Sequence, residues 1–231
     1  MKLRRPRQSR PGRIAHYRPG DILVFSGRGG MSSLIQAGTC SCYTHVAVCS
    51  TITAESILAA NTRRELAGRP SLSPDWLEWQ DRLLLLESTT LCAEPCLLQG
   101  VPVSGVQAHE ITARVCAYDG DVWVLRLREP LSRVESQKLT AVLLDTIGTR
   151  YDHLGALLSA TIWLKHGIRA ARAADRETIY CCESTVDALQ KALSASRKYK
   201  RREPGSLAPR GVVRWARPLY WPMAQVRWRT R

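Results

Sequence analysis

The sequence predicts an α+β fold. The chain has 231 residues, of which 45% are hydrophobic, so it is long enough to bury a core without disulfide bonds. Short apolar runs bounded by turn residues fill much of the segment 20–127 and are typical of strands. The longer helical patterns follow, from residue 132 onwards. Strands that precede the main helices, rather than alternating with them, favour α+β over α/β.

Three strands are predicted in the first ninety residues. GDILVF (20–25) begins at a Pro-Gly turn and is followed by a glycine-rich turn and a brief helix within 26–38. YTHVAVCS (43–50) alternates, so His45 shares a face with Ala47 and Cys49. RLLLLEST (82–89) is expected to be a buried strand. Two more strands are predicted, an edge strand at 105–111 and a strand within 117–127.

Helices dominate the second half of the prediction. Ser132 and Glu135 form a capping-box pattern that opens a helix over 132–148. A helix is also expected over 153–173, and a third begins at the paired cysteines, with Val186, Leu189 and Leu193 facing inwards. Two segments are expected to lie outside these elements: the polar insertion 55–81 and the proline-rich loop 203–222 with a possible last strand.

Positive charge is concentrated at the two ends of the chain. The net charge is +14. Residues 1–18 hold seven Lys or Arg and no acid, and residues 197–231 hold eleven with one acid, whereas the residues between hold 16 basic and 19 acidic side chains. We therefore predict a basic arm (1–18), a globular domain (19–215) and a basic aromatic tail (216–231). Such ends are typical of contacts with nucleic acid or anionic lipid, although they could merely keep the protein soluble.

The eight cysteines are expected to be thiols. The basic N-terminus lacks the apolar segment of a secretory signal, and no apolar run reaches 18 residues, so we expect a cytoplasmic protein, or a virion protein if the source is viral. Cys40 with Cys42 and Cys92 with Cys96 could be metal pairs. They lack the two-residue spacer of common zinc sites and a pair of histidines, so no metal site is predicted.

The segment TIYCCEST (178–185) raises the possibility of a nucleophilic thiol. A cysteine at a helix N-terminus is stabilised as a thiolate by the helix dipole, which favours Cys181. His45, in a predicted buried strand, is the best candidate base, and Glu87 closes a strand where a charge is costly without a partner. Each could instead be structural: the cysteine a packed small hydrophobe, the histidine a satisfied core residue.

Several motifs resemble a known family. GDILVF, YTHVAV, LLLLESTT, RYDHLGALL and IYCCESTV occur in the order found in circularly permuted papain-like hydrolases. These form the permuted branch of the NlpC-type superfamily, which includes YiiX-like bacterial proteins and members from phages and large DNA viruses. The resemblance covers about residues 17–215.

The resemblance implies a fold and a set of roles. The fold would be a small antiparallel sheet or barrel with flanking helices. His45 would be the base, Glu87 would orient it, and Cys181 would be the nucleophile, with Cys182 in the place of the family's serine. Tyr151 and Asp152 would line the substrate pocket. The reaction would pass through an acyl-enzyme stabilised by backbone N–H groups at the helix start, without a metal or organic cofactor.

Four functions remain open at this point. The leading one is a thiol hydrolase acting on an amide, ester or thioester bond of an acyl-containing lipid or peptide. The second is a lipid-directed acyltransferase or phospholipase at an anionic membrane, to which the tail aromatics Trp215, Tyr220, Trp221 and Trp228 would be suited. Packing of these aromatics back onto the domain is the slightly favoured alternative. The others are a cell-wall peptidase and a non-catalytic virion protein that binds nucleic acid.

Overall fold

The computed structural model describes residues 16–90, 94–153, 155–156 and 178–226. The strands within these ranges are β1 (Ile22–Gly27), β2 (His45–Thr51), β3 (Leu83–Thr89), β4 (Gly105–Glu110), β5 (Gly120–Leu125), β6 (Arg150–Tyr151), β7 (Thr178–Ile179) and β8 (Ala224–Gln225). The α-helices are α1 (Gly30–Thr39), α2 (Ala54–Leu66), α3 (Ile111–Cys116), α4 (Arg133–Thr146), α5 (Cys181–Ala192) and α6 (Pro209–Ala216). Short 3₁₀ turns lie at Pro74–Trp79 and Pro204–Ser206.

All eight strands of the described chain belong to one open sheet. Their order is β7-β6-β4-β3-β2-β1-β5-β8, and every neighbouring pair is antiparallel except β6 with β7. The α+β prediction is therefore confirmed, and of its two forms the sheet is found rather than the barrel.

The strand register brings His45 close to Glu87. Val48 lies opposite Leu86 in the antiparallel pair β2–β3. Continuing this register places Ala47 opposite Glu87, so that His45 and Glu87 are diagonal neighbours on one face. Diagonal pairs are within reach of long side chains. The alternating pattern of two buried strands thus sets the distance between these two residues.

Helices cover both faces of the sheet. On one face, Val46 and Val48 belong to a cluster that includes residues of α4, α5 and α6. On the other, Ala47 and Cys49 pack with Ile111 and Val115 of α3. A fully buried aliphatic side chain contributes about 1.5–3 kcal/mol, so this double-sided core holds the central strands firmly.

Three helices of the described chain were not predicted from the sequence: α2, α3 and α6. The predicted polar insertion begins with α2, which buries Ile57 and Ala60 and is capped by a reciprocal bond pair between Thr53 and Ser56. The predicted proline-rich loop contains α6, which has Pro209 as its first residue. Proline is common at that position because the N–H it lacks would be unsatisfied there anyway. Pro209 therefore marks the start of a helix and does not interrupt one.

The described part of the predicted tail packs on the sheet. Tyr220 is 1% exposed, and its hydroxyl donates to the carbonyl of Gly20 over 2.9 Å. Strand β8 pairs with β5, and Trp215 is buried, whereas Trp221 remains 52% exposed. The predictions for the basic arm up to residue 15, for Trp228 and for most of the helix 153–173 fall outside the described residues.

None of the helices in the described residues is long and apolar enough to cross a bilayer.

Candidate active site

Cys181 is the first residue of α5. The chain arrives extended, with Tyr180 at φ −109° and ψ 170°, and the Ser184 N–H donates to the Tyr180 carbonyl over 3.0 Å. The preceding strand is fixed by Ser88, whose hydroxyl donates to the Ile179 carbonyl over 2.7 Å. The thiol of Cys181 is therefore placed by a helix start that is itself tied to β3.

The thiol of Cys181 is set up to lose its proton. Its pKa is lowered well below the ordinary value, with the hydrogen bond from Cys182 as the largest cause. Burial opposes this effect, while the positive charge and hydrogen bond of His45 and the backbone N–H of Val46 add to it. These contacts favour a thiolate beside an imidazolium.

His45 lies between Cys181 and Glu87. Its Nε2 is 2.5 Å from Oε2 of Glu87, so Nδ1 is the ring nitrogen left for Cys181. Burial alone would lower the pKa of His45. The negative charge and hydrogen bond of Cys181, followed by the contacts with Glu87, raise it to about 9. The imidazole therefore carries a proton at neutral pH.

Glu87 is buried and fully engaged by cationic partners. The carboxylate is 1% exposed, and burial alone would raise its pKa. The hydrogen bond and charge of His45, and then those of Arg114, outweigh burial and lower the pKa instead. Glu87 thus remains a carboxylate that can orient an imidazolium.

Arg114 and His109 are neighbours of Glu87 that the sequence patterns did not indicate. Arg114 Nε donates to Oε1 of Glu87 over 2.5 Å, and its guanidinium lies over the rings of Phe25 and Tyr118. His109 Nε2 is 3.7 Å from Glu87 and has no hydrogen-bond partner within the described chain. Burial is the main cause that lowers the pKa of His109, so the ring is neutral at pH 7.

A weak signal for Arg114 does exist in the sequence. It stands between Ile111 and Val115, which lie four residues apart and are both buried, so it occupies a helix that faces the core. A buried arginine requires a buried acid. His109 was predicted to lie in an edge strand, but β4 pairs with both β3 and β6. His109 is buried there, because α3 folds back over this end of the strand.

Cys182 differs from its neighbour despite adjacency. Its side chain is 0% exposed, and its Sγ lies 3.8 Å from that of Cys181. Burial is the largest cause that raises the pKa of Cys182, and the negative charge of Cys181 raises it further. Cys182 is therefore the thiol of the pair that keeps its proton and donates it in a hydrogen bond.

Thr44 joins the two strands beside His45. Its hydroxyl donates to the Phe25 carbonyl over 3.2 Å and accepts from the Gly27 N–H over 3.0 Å. A second hydroxyl, that of Tyr118, lies 3.4 Å away. The hydroxyl that precedes the histidine thus ties the start of β2 to the end of β1.

Tyr151 lies near the two cysteines, while Asp152 has a local structural contact. Burial is the largest cause that raises the pKa of Tyr151, and the negative charges of Cys181 and Cys182 add to it. The Asp152 carboxylate accepts from the Gly155 N–H over 2.6 Å. The role of both residues in lining a substrate pocket stays a prediction.

Comparison with known proteins gives a likeness in structure only. No protein-family model matches the sequence, and no curated protein matches it either. The fold is similar to the crystal structure of the metalloprotein YiiX from Escherichia coli O157:H7, with a TM-score of 0.50 and 15% identity. The match covers 91% of this chain and 96% of that chain. The two chains share a fold.

The description as a metalloprotein applies to YiiX. Within the described residues of this chain, no group of three or more His, Cys, Asp or Glu side chains could hold a metal ion.

Proposed function

We propose that the protein is a cysteine hydrolase that cleaves an amide, ester or thioester bond through an acyl-enzyme on Cys181. The observation that carries the proposal is the unbroken chain of contacts from Cys181 through His45 to Glu87. A nucleophile, a base in contact with it and a carboxylate that orients the base are the three parts of a catalytic triad.

The cycle follows from the two protonation states. The Cys181 thiolate attacks the carbonyl carbon, and the carbonyl electrons move onto the oxygen. The His45 imidazolium then gives its proton to the departing amine, alcohol or thiol as the bond to carbon breaks. In the second half, neutral His45 takes a proton from water, the hydroxide attacks the thioester, and the Cys181 thiolate is released.

Stabilisation of the oxyanion is assigned to the start of α5. The first N–H groups of a helix have no partner within it, and the helix dipole favours negative charge there. The Cys181 N–H is the first of these donors, at the same residue as the attacking sulfur. Preorganised donors of this kind each contribute about 2.7–4 kcal/mol in known hydrolases.

The chain order supports a permuted papain-like assignment. His45 and Glu87 stand on β2 and β3, and Cys181 follows on a later helix, whereas papain-like enzymes have the cysteine first. The resemblance in motifs and the likeness of fold to YiiX over 91% of the chain support the same proposal.

The acceptor and substrate class are open to direct test. Intact-protein mass spectrometry after incubation with a panel of acyl lipids, esters and peptides should reveal an acyl adduct that maps to Cys181. Release to water would mark a hydrolase, and transfer to an added alcohol or amine would mark the alternative acyltransferase. Cys181→Ala should abolish both the adduct and turnover. Persistence of the adduct in that variant would contradict the proposal.

A further inference from the structure

The pocket beside α6 is strongly basic. It has a volume of about 600 Å³ and is lined by residues from the segment before β2, the end of β5 and its following loop, and α6 with the segment after it. Four of these residues are arginines and none is acidic: Arg128, Arg210, Arg214 and Arg217. None of the lining residues belongs to the Cys181, His45 and Glu87 set, so the pocket is a separate feature of the molecule.

The arginines converge from two directions. Arg210, Arg214 and Arg217 are spaced by four and three residues, which places them on one side of α6. Arg128 comes from the loop after β5, where its Nε donates to the Tyr220 carbonyl over 3.1 Å and its guanidinium lies 5.0 Å from the ring of Trp221. Helical spacing alone would give a stripe, whereas the addition of Arg128 makes a cluster.

Two of these arginines have no ion-pair partner in the part of the chain that the structure describes. Within the described residues, Arg214 and Arg217 form no ion pair or hydrogen bond, and both are exposed. Arg210 donates to the Cys40 carbonyl over 3.1 Å, so its charge is not neutralised either. Like charges on one helix face destabilise the helix. An anion bound among them would relieve that repulsion, and guanidinium groups hold phosphate oxygens in bidentate pairs.

The floor of the pocket is apolar and aromatic. Tyr43 and Val213 are buried there, Met223 is half-buried, and Trp221 stands exposed at the rim. Burial is the largest cause that raises the pKa of Tyr43, to about 12, so its hydroxyl stays a donor at neutral pH. Arginines beside an exposed tryptophan and apolar side chains match the boundary between lipid head groups and acyl chains.

We propose that this pocket binds the phosphate of an anionic phospholipid and so holds the protein at a membrane surface. The phosphate would lie among the guanidinium groups of Arg214, Arg217 and Arg128. The glycerol and first acyl carbons would contact Trp221 and Met223. This inference is independent of the proposed hydrolase activity, because it requires only binding.

The test is co-sedimentation of the full chain with vesicles at moderate salt. Phosphatidylglycerol is the suitable anionic lipid, because its phosphate is its only charged group, and phosphatidylcholine vesicles are the neutral comparison. The variant Arg214→Gln with Arg217→Gln removes two charges but no hydrogen bond or ion pair within the described residues. The control, Arg133→Gln with Lys138→Gln, removes two charges from the exposed face of α4.

We expect the chain to bind phosphatidylglycerol vesicles and not phosphatidylcholine vesicles. The pocket variant should lose roughly 30-fold in affinity, from about 1 kcal/mol for each basic residue near an anionic surface. The control should lose far less, because its charges lie outside the pocket. The variant Arg214→Lys with Arg217→Lys should fall between the parent and the glutamine pair, since lysine keeps the charge but not the bidentate geometry.

Several results would overturn the proposal. Equal losses in the pocket and control variants would show that net charge alone attracts the protein. Unchanged vesicle binding by the pocket variant would exclude the pocket as the lipid-binding site. Tight binding of glycerol 3-phosphate at the pocket without vesicle binding would show that the ligand is a soluble phosphate. If the pocket variant lost binding to duplex DNA but kept its binding to vesicles, the arginines would be assigned to nucleic-acid binding instead.

Discussion

The sulfur of Cys181 differs from that of an ordinary cysteine because of three neighbouring groups. Cys182 donates a hydrogen bond to it, His45 supplies a positive charge, and the Val46 N–H contributes a further contact. The pKa of Cys182 is raised instead, because its side chain is buried and lies beside the negative charge of Cys181. Two identical side chains, one residue apart, are thereby given different chemistry.

Substitution of Cys182 should tune the site rather than abolish it. In Cys182→Ala the largest cause that lowers the Cys181 pKa is gone, so the acid limb of the pH–rate profile should move to higher pH. Cys182→Ser retains a donor and should restore the profile. Profiles of kcat/KM from about pH 4 to 10 would measure this. Complete inactivity of Cys182→Ser, with Cys181→Ser active, would reverse the roles of the two residues.

The pKa of His45 makes a second prediction at this scale. Because its pKa is raised from 6.5 to about 9, the imidazolium is fully present below about pH 6.5 and is lost as the pH rises through about 9. Activity should therefore fall on the alkaline side near pH 9. In Glu87→Gln one cause of the raised pKa is removed, so that limb should move to lower pH.

The effect of the Glu87 carboxylate on turnover can be distinguished from the effect of removing a negative charge elsewhere in the protein. Turnover by Glu87→Gln should fall by roughly 10²–10⁴-fold, the usual contribution of general acid–base catalysis. The matched control is Glu65→Gln on the exposed face of α2, which should leave both rate and profile unchanged. An unchanged alkaline limb in Glu87→Gln would show that the carboxylate does not govern His45.

At the scale of elements, the register between β2 and β3 positions two residues of the candidate active site. Strands β2 and β3 place His45 and Glu87 on diagonal positions, and α3 brings Arg114 against the carboxylate. The sequence could single out Cys181, His45 and Glu87, which lie together in the structure, since a charge at the end of an apolar strand and a cysteine at a helix start are local signals. It could not predict that Arg114 and His109 lie beside Glu87, because that placement depends on how α3 folds back over the sheet.

The ion pair between Arg114 of α3 and Glu87 of β3 is expected to stabilise the fold. Arg114→Met removes the guanidinium that binds the buried Glu87 carboxylate, and removal of one partner of a buried pair costs about 3–5 kcal/mol. The free energy of unfolding in urea would measure this loss. The double variant Arg114→Met with Glu87→Gln should recover part of it. Strict additivity of the two losses would contradict the coupling.

At the scale of the whole molecule, the described segment after α6 packs against the turn before β1 and against β5. The hydroxyl of Tyr220 donates to the Gly20 carbonyl, and β8 adds to the edge of β5. Composition located the basic charge at both ends, but it could not show that part of the C-terminal segment is core. That outcome depends on where α6 returns the chain, which no local pattern encodes. The arginine pocket escaped prediction for the same reason, since it forms only when separate segments meet.

Tyr220 tests whether the C-terminal segment is structural. Tyr220→Ala should destabilise the fold by about 3–5 kcal/mol, because a large buried aromatic side chain is lost. Tyr220→Phe should cost about 1 kcal/mol, the contribution of its single hydrogen bond. Thermal or urea unfolding would distinguish the two. Wild-type stability in the alanine variant would mean that the packing of Tyr220 against Gly20 does not stabilise the fold.

The central claim is that Cys181 is a thiolate paired with His45. It is tested most directly by the rate of iodoacetamide labelling at each cysteine as a function of pH, followed by peptide mass spectrometry. Cys40 and Cys116, which are free and exposed, serve as internal references. We predict that the rate at Cys181 stays high between about pH 6 and 8 and collapses in His45→Gln. A rate at Cys181 that falls in parallel with the reference thiols, or a faster rate at Cys182, would contradict the account.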